Sequence, residues 1–314
     1  MSVAAVPADV PVLEIGGSHV AAALVDPATR TVRPGTRRAA PLAPHGSARE
    51  IVDGVARCAA SLPPAGTTWG VALPGPFDYA AGVARYRGVG KFDALDGVDV
   101  GAALRHVLGE RMAAVTFVND AHAFLLGEAA AGAAAGHRRA VGITLGTGVG
   151  SAFLADGTCV VSGPDVPPQG RADLLTVDGR PLEETVSTRA LVRRFAATGE
   201  EGDVTGVAGV KSAAGVRDVA ERARAGSGQA RRVLDEAFEA LGLALGLWIV
   251  RFGASAVVVG GSVAGAWDLI EAPLLRGLDT AGPGVPRPRT AVHPRDAALI
   301  GAAPPGAFPR SAGG

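Results

Sequence analysis

Two glycine-rich turns, one in each half of the chain, contain residue types that can bind phosphate. The first is Gly16-Gly17-Ser18, and the second is Gly146-Thr147-Gly148-Val149-Gly150. Glycines let backbone N–H groups approach an anion without a Cβ in the way, and the Ser and Thr add hydroxyl groups. A tight hairpin alone also explains each turn. Neither turn matches the P-loop or the dinucleotide fingerprint, because no Lys-Ser/Thr pair follows and no βαβ unit with a third glycine surrounds it.

A second candidate for chemistry is the pair Asn119-Asp120. It follows the apolar run Val115–Val118 and directly precedes an Ala-rich segment with helical character. Asn or Asp at such a position commonly caps the helix. An aspartate facing a bound hydroxyl can also accept its proton, while the neighbouring amide bonds a second hydroxyl. The local sequence is compatible with both roles at once.

Composition narrows the class of protein. Lys plus Arg and Asp plus Glu balance at 30 each among 314 residues, so no strong field attracts nucleic acid or an anionic membrane. The two cysteines, Cys58 and Cys159, lack the spacing of a zinc site or redox motif. The start lacks the basic region of a signal peptide, and the most apolar stretch, 240–250, is shorter than the about 20 residues that span a bilayer. We expect a cytoplasmic protein with neither nucleic-acid nor membrane partners.

The elements that must position these residues alternate between strands and helices, which predicts an α/β architecture. Each glycine turn is expected to join two strands, and a third strand-to-glycine turn occurs at Gly260-Gly261-Ser262. The predicted strands are 10–15, 20–26, 69–73, 115–118, 140–145, 151–154 and 257–259, and the predicted helices include 49–61, 100–108, 121–135, 182–195 and one or two over 216–252. The strand-glycine-strand unit in each half suggests a duplicated domain with a cleft between the copies.

Taken in order, the motifs of this chain resemble the ROK family of sugar kinases and repressors. The resemblance runs nearly from end to end and is carried by LEIGGS at 13–18, GVALPGPFD at 70–78, VNDA at 118–121, LGTGVG at 145–150, VVGGS at 258–262 and DAALIGAA at 296–303. It implies the actin-like sugar kinase fold, with two ribonuclease H-like domains around a central cleft. The N-terminal domain is expected at 1–119, with 298–314 packing back on it, and the nucleotide-binding domain at 120–297.

The resemblance also implies roles for individual residues, with ATP and Mg²⁺ as cofactors. Asp120 would be the catalytic base. The substrate-binding residues would be Gly75, Asn119, Asp120, Arg171 and Glu183, with Glu184 as an adjacent alternative to Glu183. The nucleotide and its Mg²⁺ would be held by Glu14, Gly16, Gly17, Ser18, Gly146, Thr147, Gly148, Gly150, Gly260 and Gly261, with the metal near Glu14.

The chain departs from the family pattern at several of these positions. Glu14 and Ser18 stand where the family usually has Asp and Thr. The family's Glu-x-Gly-His segment, which contacts the sugar near its anomeric end, appears with Arg171 and Leu174 instead of the Glu and the His. The Cys-rich zinc loop that should follow is missing, so no structural zinc is predicted.

These departures predict the substrate. Losing an acceptor and gaining a cation at one end of the pocket should penalise glucose, since an unpaired buried polar group costs about 1–3 kcal/mol. We expect phosphotransfer to the primary, 6-type hydroxyl of a hexose or hexose analogue, most simply an aminosugar such as kanosamine from antibiotic biosynthesis. Glucose, N-acetylmannosamine and a C7-cyclitol are alternatives, and a solvent-facing Arg171 is the alternative for that side chain.

A rival class is a sugar-binding regulator that has lost catalysis. ROK repressors carry a winged-helix domain ahead of the first glycine turn, whereas nine residues precede the first predicted strand here, which disfavours a DNA-binding repressor. The family resemblance further implies a homodimer.

Overall fold

The computed structural model describes residues 8–199 and 212–308, apart from the side chains of 212–214. Their contacts divide the chain into two compact units, unit 1 with Met1–Ala131 and Arg295–Gly314, and unit 2 with Gly132–Pro294. The strands are β1 Val10–Ile15, β2 His19–Asp26, β3 Thr31–Val32, β4 Arg38–Pro41, β5 Thr68–Leu73, β6 Phe77–Asp78, β7 Val83–Ala84, β8 Ala114–Asn119, β9 Arg139–Leu145, β10 Val149–Ala155, β11 Thr158–Cys159, β12 Thr176–Val177, β13 Arg180–Pro181, β14 Ala256–Gly260 and β15 Arg289–Thr290. The helices are α1 Ala48–Ala60, α2 Val100–Leu108, α3 Asp120–Ala131, α4 Glu183–Val186, α5 Thr188–Ala196, α6 Ser212–Arg224, α7 Gly228–Phe252, α8 Trp267–Asp279 and α9 Ala297–Ala302.

The main sheet of unit 1 has the strand order β3-β2-β1-β5-β8, with β4 also paired to β2. β1 and β2 are antiparallel, whereas β1, β5 and β8 run parallel to one another. Successive side chains of a strand point to opposite faces, so both faces of this sheet are apolar. On β1, Leu13 belongs to the cluster formed with α1 and α2, and Val12 belongs to the cluster formed with Ala123 of α3 and Leu299 of α9.

Helices α3 and α9 pack so closely that two glycines are required. A Cβ on Gly127 of α3 would lie 1.9 Å from the carbonyl oxygen of Ala297, and a Cβ on Gly301 of α9 would lie 1.8 Å from that of Ala123. This packing places α3 in unit 1, so the division falls after Ala131 and not after residue 119 as predicted from the sequence. The described part of the predicted return segment, 298–308, also belongs to unit 1, whereas 309–314 lies outside the described residues.

The main sheet of unit 2 has the strand order β11-β10-β9-β14-β15. β9 and β10 form an antiparallel hairpin, and β14 and β15 run parallel to β9. When β4 is left out and the remaining strands of each main sheet are numbered by their own order in the chain, both sheets read 3-2-1-4-5. This repeated topology is that of ribonuclease H-like domains, and the predicted fold class is confirmed.

The helices of unit 2 differ from the sequence prediction at two points, the first of which is α8, Trp267–Asp279, a helix that was not predicted. The predicted helix 182–195 is divided into α4 and α5, because Ser187 has extended backbone angles and its hydroxyl accepts a hydrogen bond from the N–H of Ala190. Ser187 is therefore the N-cap of α5. This break places the start of α5 beside the glycine turn between β9 and β10.

Among the described residues, no helix combines the length and the apolar character needed to cross a membrane.

Candidate active site

In unit 1, Asn119 and Asp120 lie at the junction where β8 ends and α3 begins. The Asn119 side-chain oxygen accepts hydrogen bonds from the backbone N–H groups of Ala121 at 3.0 Å and His122 at 3.2 Å. Asn119 thus supplies the helix cap that the sequence allowed for either residue. Asp120 is the first helical residue, and its Oδ1 accepts from the N–H of Ala121 at 2.9 Å.

The electrostatic environment of Asp120 favours a proton acceptor stronger than an ordinary aspartate. Burial raises the pKa of Asp120, and the Ala121 N–H and the positive charge of Lys91 oppose this shift. A carboxylate with a raised pKa binds a proton more tightly and is the better general base while it stays ionised.

Tyr79 connects Asn119 to the glycine turn at Gly75. The Asn119 side-chain amide donates to the Tyr79 hydroxyl at 3.1 Å, and that hydroxyl lies 3.3 Å from the carbonyl oxygen of Leu73. A Cβ on Gly75, which precedes a cis bond to Pro76, would lie 3.4 Å from the same hydroxyl. The structure therefore brings the predicted residues Gly75 and Asn119 together. Tyr79 was not predicted from the sequence, and its one signal is its place directly after the GPFD motif.

Glu14 lies in the same sheet of unit 1 as the junction between β8 and α3. It occupies β1, where its backbone is flanked by Ala21 of β2 and Ala72 of β5. Burial raises the pKa of Glu14 to about 7, with a further contribution from the negative charge of Asp120, while Arg37 acts in the opposite direction. Because β5 alone separates β1 from β8 in the sheet, the structure places the two predicted carboxylates, Glu14 and Asp120, in the same part of unit 1.

The turn Gly16–Ser18 joins β1 to β2. The N–H of Gly16 donates to the carbonyl oxygen of His19 at 2.8 Å, and the Ser18 side chain is exposed. A Cβ on Gly17 would lie 3.6 Å from Cδ and 3.8 Å from Nζ of Lys91. Lys91 was not predicted from the sequence. The sequence contained a signal for it, because lysine is rare in this chain: Lys91 and Lys211 are the two lysines among 30 Lys and Arg residues.

In unit 2, the turn Gly146–Gly150 joins β9 to β10 and is tied to the start of α5. The carbonyl oxygen of Gly146 accepts from the N–H of Thr188 at 2.9 Å, and Thr147 is exposed at the tip of the turn. A Cβ on Gly148 would lie 3.3 Å from Oε2 of Glu183. Glu183 is half-buried and Glu184 is exposed, so Glu183 is the one of the two that lies beside the turn.

The third glycine segment meets the second within unit 2. β14 ends at Gly260, which pairs with Thr144 of β9. Gly261 has a φ of +86°, and a Cβ there would lie 2.2 Å from the carbonyl oxygen of Leu145. Only glycine permits this conformation and this approach without displacement of the backbone. The predicted nucleotide-binding segments 146–150 and 260–261 are therefore neighbours.

Arg171 and Leu174 lie on a surface turn of unit 2. The Ser151 hydroxyl anchors this turn by donating to the Gly170 carbonyl oxygen and accepting from the Ala172 N–H, both at 2.8 Å. Arg171 forms two hydrogen bonds to Asp173, at 3.2 and 2.5 Å, and its side chain is 51% exposed. Asp173 therefore offsets much of the charge that the sequence predicts at this position. A contact between Arg171 and substrate stays a prediction.

Two metals were considered from the sequence, a structural zinc and the Mg²⁺ that accompanies ATP. Within residues 8–199 and 212–308, no three His, Cys, Asp or Glu side chains are grouped so as to hold a metal ion. The predicted lack of structural zinc stays a prediction. Glu14, an acidic side chain beside the first glycine turn, provides the oxygen-donor chemistry that Mg²⁺ prefers.

The fold is that of the actin-like sugar kinases. Solved structures with this fold include the ROK hexokinase from Thermus thermophilus, at a TM-score of 0.71 and 25% identity, covering 94% of this chain and 96% of that one. Another is the ROK family glucokinase from Streptomyces griseus in complex with glucose and AMPPNP, with a TM-score of 0.71, 24% identity, and coverage of 94% and 98%. The predicted fold is thus found in both structures.

Sequence comparison identifies the family. The ROK family profile matches residues 11–170, which is just over half of the chain. The glucokinase of Thermotoga maritima is 29% identical over 219 residues, which are 65% of this chain and 67% of that protein. This chain belongs to the ROK family, and the resemblance predicted from its motifs is confirmed.

Proposed function

We propose that this chain transfers the γ-phosphoryl group of ATP to the primary, 6-type hydroxyl of a hexose or hexose analogue. The observation that carries the proposal is the junction of β8 and α3. There, Asp120 is partly desolvated and oriented by the Ala121 N–H, while Asn119 is held by the helix cap and by Tyr79. An acid and an amide at adjacent positions suit two neighbouring hydroxyl groups of one sugar.

The general activity rests on the comparisons. The chain is an ATP-dependent sugar kinase, as its motifs predicted, because it belongs to the ROK family and matches a glucokinase and a ROK hexokinase over most of its length. A sugar is accordingly its small-molecule partner. The identity of that sugar and the role of each residue belong to the proposal.

In the proposed reaction, Asp120 accepts the proton of the attacking hydroxyl. The oxygen of that hydroxyl forms a bond to the γ-phosphorus, the bond between this phosphorus and the bridging oxygen breaks, and ADP leaves. Positioning and charge stabilisation dominate such phosphoryl transfers, so the fixed orientation of the Asp120 carboxylate contributes directly to the rate. Asn119 orients a second hydroxyl of the sugar.

The nucleotide would be held by the glycine turns. Gly146–Gly150 and Gly260–Gly261 are neighbours in unit 2, because Gly261 packs against the backbone of Leu145 directly before the second turn, and together they would hold the nucleotide. Gly16–Ser18 would bind phosphate in unit 1, with Glu14 near Mg²⁺. When bound, Mg²⁺ neutralises charge on the phosphate oxygens.

We assign the substrate to hexose analogues altered near C1 and C2, such as the aminosugar kanosamine. The support is that Arg171 and Leu174 replace the Glu and His that contact the anomeric end in the family. Leu174 is 43% exposed and offers no hydrogen bond. Because Asp173 offsets much of the charge of Arg171, the expected penalty on glucose depends mainly on the loss of the hydrogen-bond acceptor that the family's Glu provides. Glucose and a C7-cyclitol are the alternatives.

ADP release by the full chain with glucose, kanosamine, N-acetylmannosamine and a C7-cyclitol tests the proposal. We expect turnover on at least one of them, with kcat/KM for kanosamine above that for glucose. A preference for glucose would overturn the aminosugar assignment. Sugar binding without any ADP release would instead identify a catalytically inactive sugar-binding regulator.

We further propose that the chain forms a homodimer through α7. Leu243, Leu247 and Val250 are 46%, 49% and 36% exposed and share one face of this helix, since their spacing is four and three residues. An apolar stripe of this kind is typical of a helix covered by a partner. Sedimentation of the full chain should show a dimer, and Leu247→Asp should shift it toward monomer. The cytoplasmic localisation and the lack of a nucleic-acid partner stay predictions.

A further inference from the structure

Lys91 lies beside the first glycine turn of unit 1. Its Nζ would be 3.8 Å from a Cβ placed on Gly17, so the ammonium group is adjacent to the backbone of the turn. Its positive charge also acts on Asp120, whose pKa it lowers against the effect of burial. Lys91 is therefore a half-buried cation beside the proposed phosphate turn, and its charge acts on the proposed base.

The loop that carries Lys91 is anchored at the next residue. Phe92 is 1% exposed, packs its ring 5.5 Å from that of Tyr86, and donates its N–H to the carbonyl oxygen of Pro44 at 2.7 Å. Phe92 also has a φ of +61°, a left-handed conformation that a bulky residue adopts only when its surroundings impose it. The Lys91 backbone is thus held in one place by a buried neighbour.

No carboxylate of the described residues lies within 4.0 Å of the Lys91 ammonium. Many arginines of the chain, in contrast, pair with an Asp or Glu, as Arg87 does with Asp96 at 3.0 Å in the same loop. A half-buried ammonium without a carboxylate has lost hydration that an anionic ligand can replace. The chain uses Lys at two of 30 basic positions, and one of the two is this site.

We propose that Lys91 is a catalytic residue that binds the oxygens of the transferring phosphoryl group. This inference rests on the proposed kinase function and adds a residue to its machinery. As the hydroxyl oxygen bonds to the γ-phosphorus and ADP departs, negative charge is spread over the equatorial phosphoryl oxygens. The Lys91 ammonium keeps its protons and stabilises that charge, while the hydroxyl proton passes to Asp120. A flexible point charge suits a group that moves during transfer.

The test compares Lys91→Gln with Lys91→Arg and with Arg87→Gln in the full chain. Arg87→Gln is the matched control, because it removes a positive charge from the same loop at a side chain that is 90% exposed. The measurements are kcat and KM from ADP release with the sugar that the wild type uses best, and the thermal unfolding midpoint of each variant.

We expect Lys91→Gln to lower kcat by about 10²–10³-fold, the range found when one donor that stabilises transition-state charge is removed. The KM for the sugar should stay unchanged, because Lys91 contacts phosphoryl oxygens and not the sugar. Lys91→Arg should recover part of kcat, and Arg87→Gln should match the wild type. If Lys91→Gln unfolds, Lys91→Met, which keeps the aliphatic stem, takes its place.

Two results would overturn the inference while leaving the kinase function intact. One is a kcat for Lys91→Gln within about tenfold of that of an active wild type, because removal of a group that stabilises transition-state charge lowers kcat by about 10²–10³-fold. The other is a raised KM for the sugar at unchanged kcat, which would identify a sugar contact. A wild-type chain that releases no ADP with any sugar would overturn the proposed function and the role of Lys91 together.

Discussion

The two glycine turns occupy the same position in the two main sheets, between the first and second strands, but they are built differently. The turn of unit 1 lies near charged side chains, with Lys91 beside Gly17, and with Glu14 on the strand that leads into the turn. The turn of unit 2 has the Glu183 carboxylate beside Gly148 and is otherwise tied to its surroundings by backbone contacts. Gly261 approaches the Leu145 carbonyl, and the Thr188 N–H bonds the Gly146 carbonyl.

This difference separates the two tasks that a kinase must perform. Side chains with shifted pKa values and net charge can move a proton and stabilise a transferring group. Closely packed backbone without Cβ atoms makes a cradle for an anionic ligand but does not itself transfer protons. One sheet topology, present twice, therefore supports chemistry in unit 1 and nucleotide binding in unit 2, as we propose.

The largest effect should come from removing the acid of unit 1. We expect Asp120→Asn to lower kcat by about 10²–10⁴-fold, the contribution typical of a general base, because the amide cannot accept the hydroxyl proton. Kinetics of ADP release measures the loss, and an unchanged unfolding midpoint shows that the variant is folded. Asp53→Asn, at a surface carboxylate of α1 paired with Arg49, is the control and should retain wild-type kcat. Nearly normal turnover by Asp120→Asn would remove the chemical distinction between the two units.

A smaller effect is expected from adding a Cβ to the backbone cradle of unit 2. Gly261→Ala would place that atom 2.2 Å from the Leu145 carbonyl oxygen and should destabilise the fold by about 1–3 kcal/mol, the range for overpacking. It should also raise the KM for ATP, because Leu145 directly precedes the glycine turn. Denaturant unfolding and ATP kinetics measure both effects.

Gly265→Ala is the matched control for the cradle, since a Cβ there would meet no atom within 4 Å. Equal stability of the Gly261→Ala and Gly265→Ala variants would show that the close backbone approach does not shape the second turn.

The smallest effect concerns Glu14 and depends on pH. Its pKa in the folded chain is about 7, above its ordinary value of 4.5, so the folded state binds this proton more tightly than the unfolded state. Wild-type stability should therefore fall as the pH rises from about 4.5 to about 7. Glu14→Gln has no carboxylate to ionise at this position and should not lose this stability. The unfolding midpoint of the variant minus that of wild type should therefore increase from about pH 4.5 to about pH 7 and then stay constant. The unfolding midpoints of wild type and variant are measured in the presence of EDTA, and Glu110→Gln is the control at an exposed carboxylate of unit 1. A midpoint difference between Glu14→Gln and wild type that did not change with pH would contradict a raised pKa for Glu14.

Much of the fold could be predicted because its signals are local. The apolar runs that end in glycine turns predicted β1, β9 and β14, and the apolar period of residues 100–108 predicted α2 with its observed bounds. The ordered motifs predicted the family. The end of unit 1 could not be predicted in this way, since it depends on Gly127 and Gly301 letting α3 and α9 approach, and these residues are distant in sequence.

For the candidate site, the sequence by itself determined the types and order of the polar groups, because Asp120, Asn119 and the glycine turns form recognisable local motifs. Tertiary structure decided which of them are neighbours. It joined Asn119 to Tyr79, placed Lys91 beside Gly17 and brought Gly261 against Leu145. The physical reason is that charge coupling, burial and close backbone approach depend on distance in space, which strand pairing and helix packing set and a linear motif does not contain.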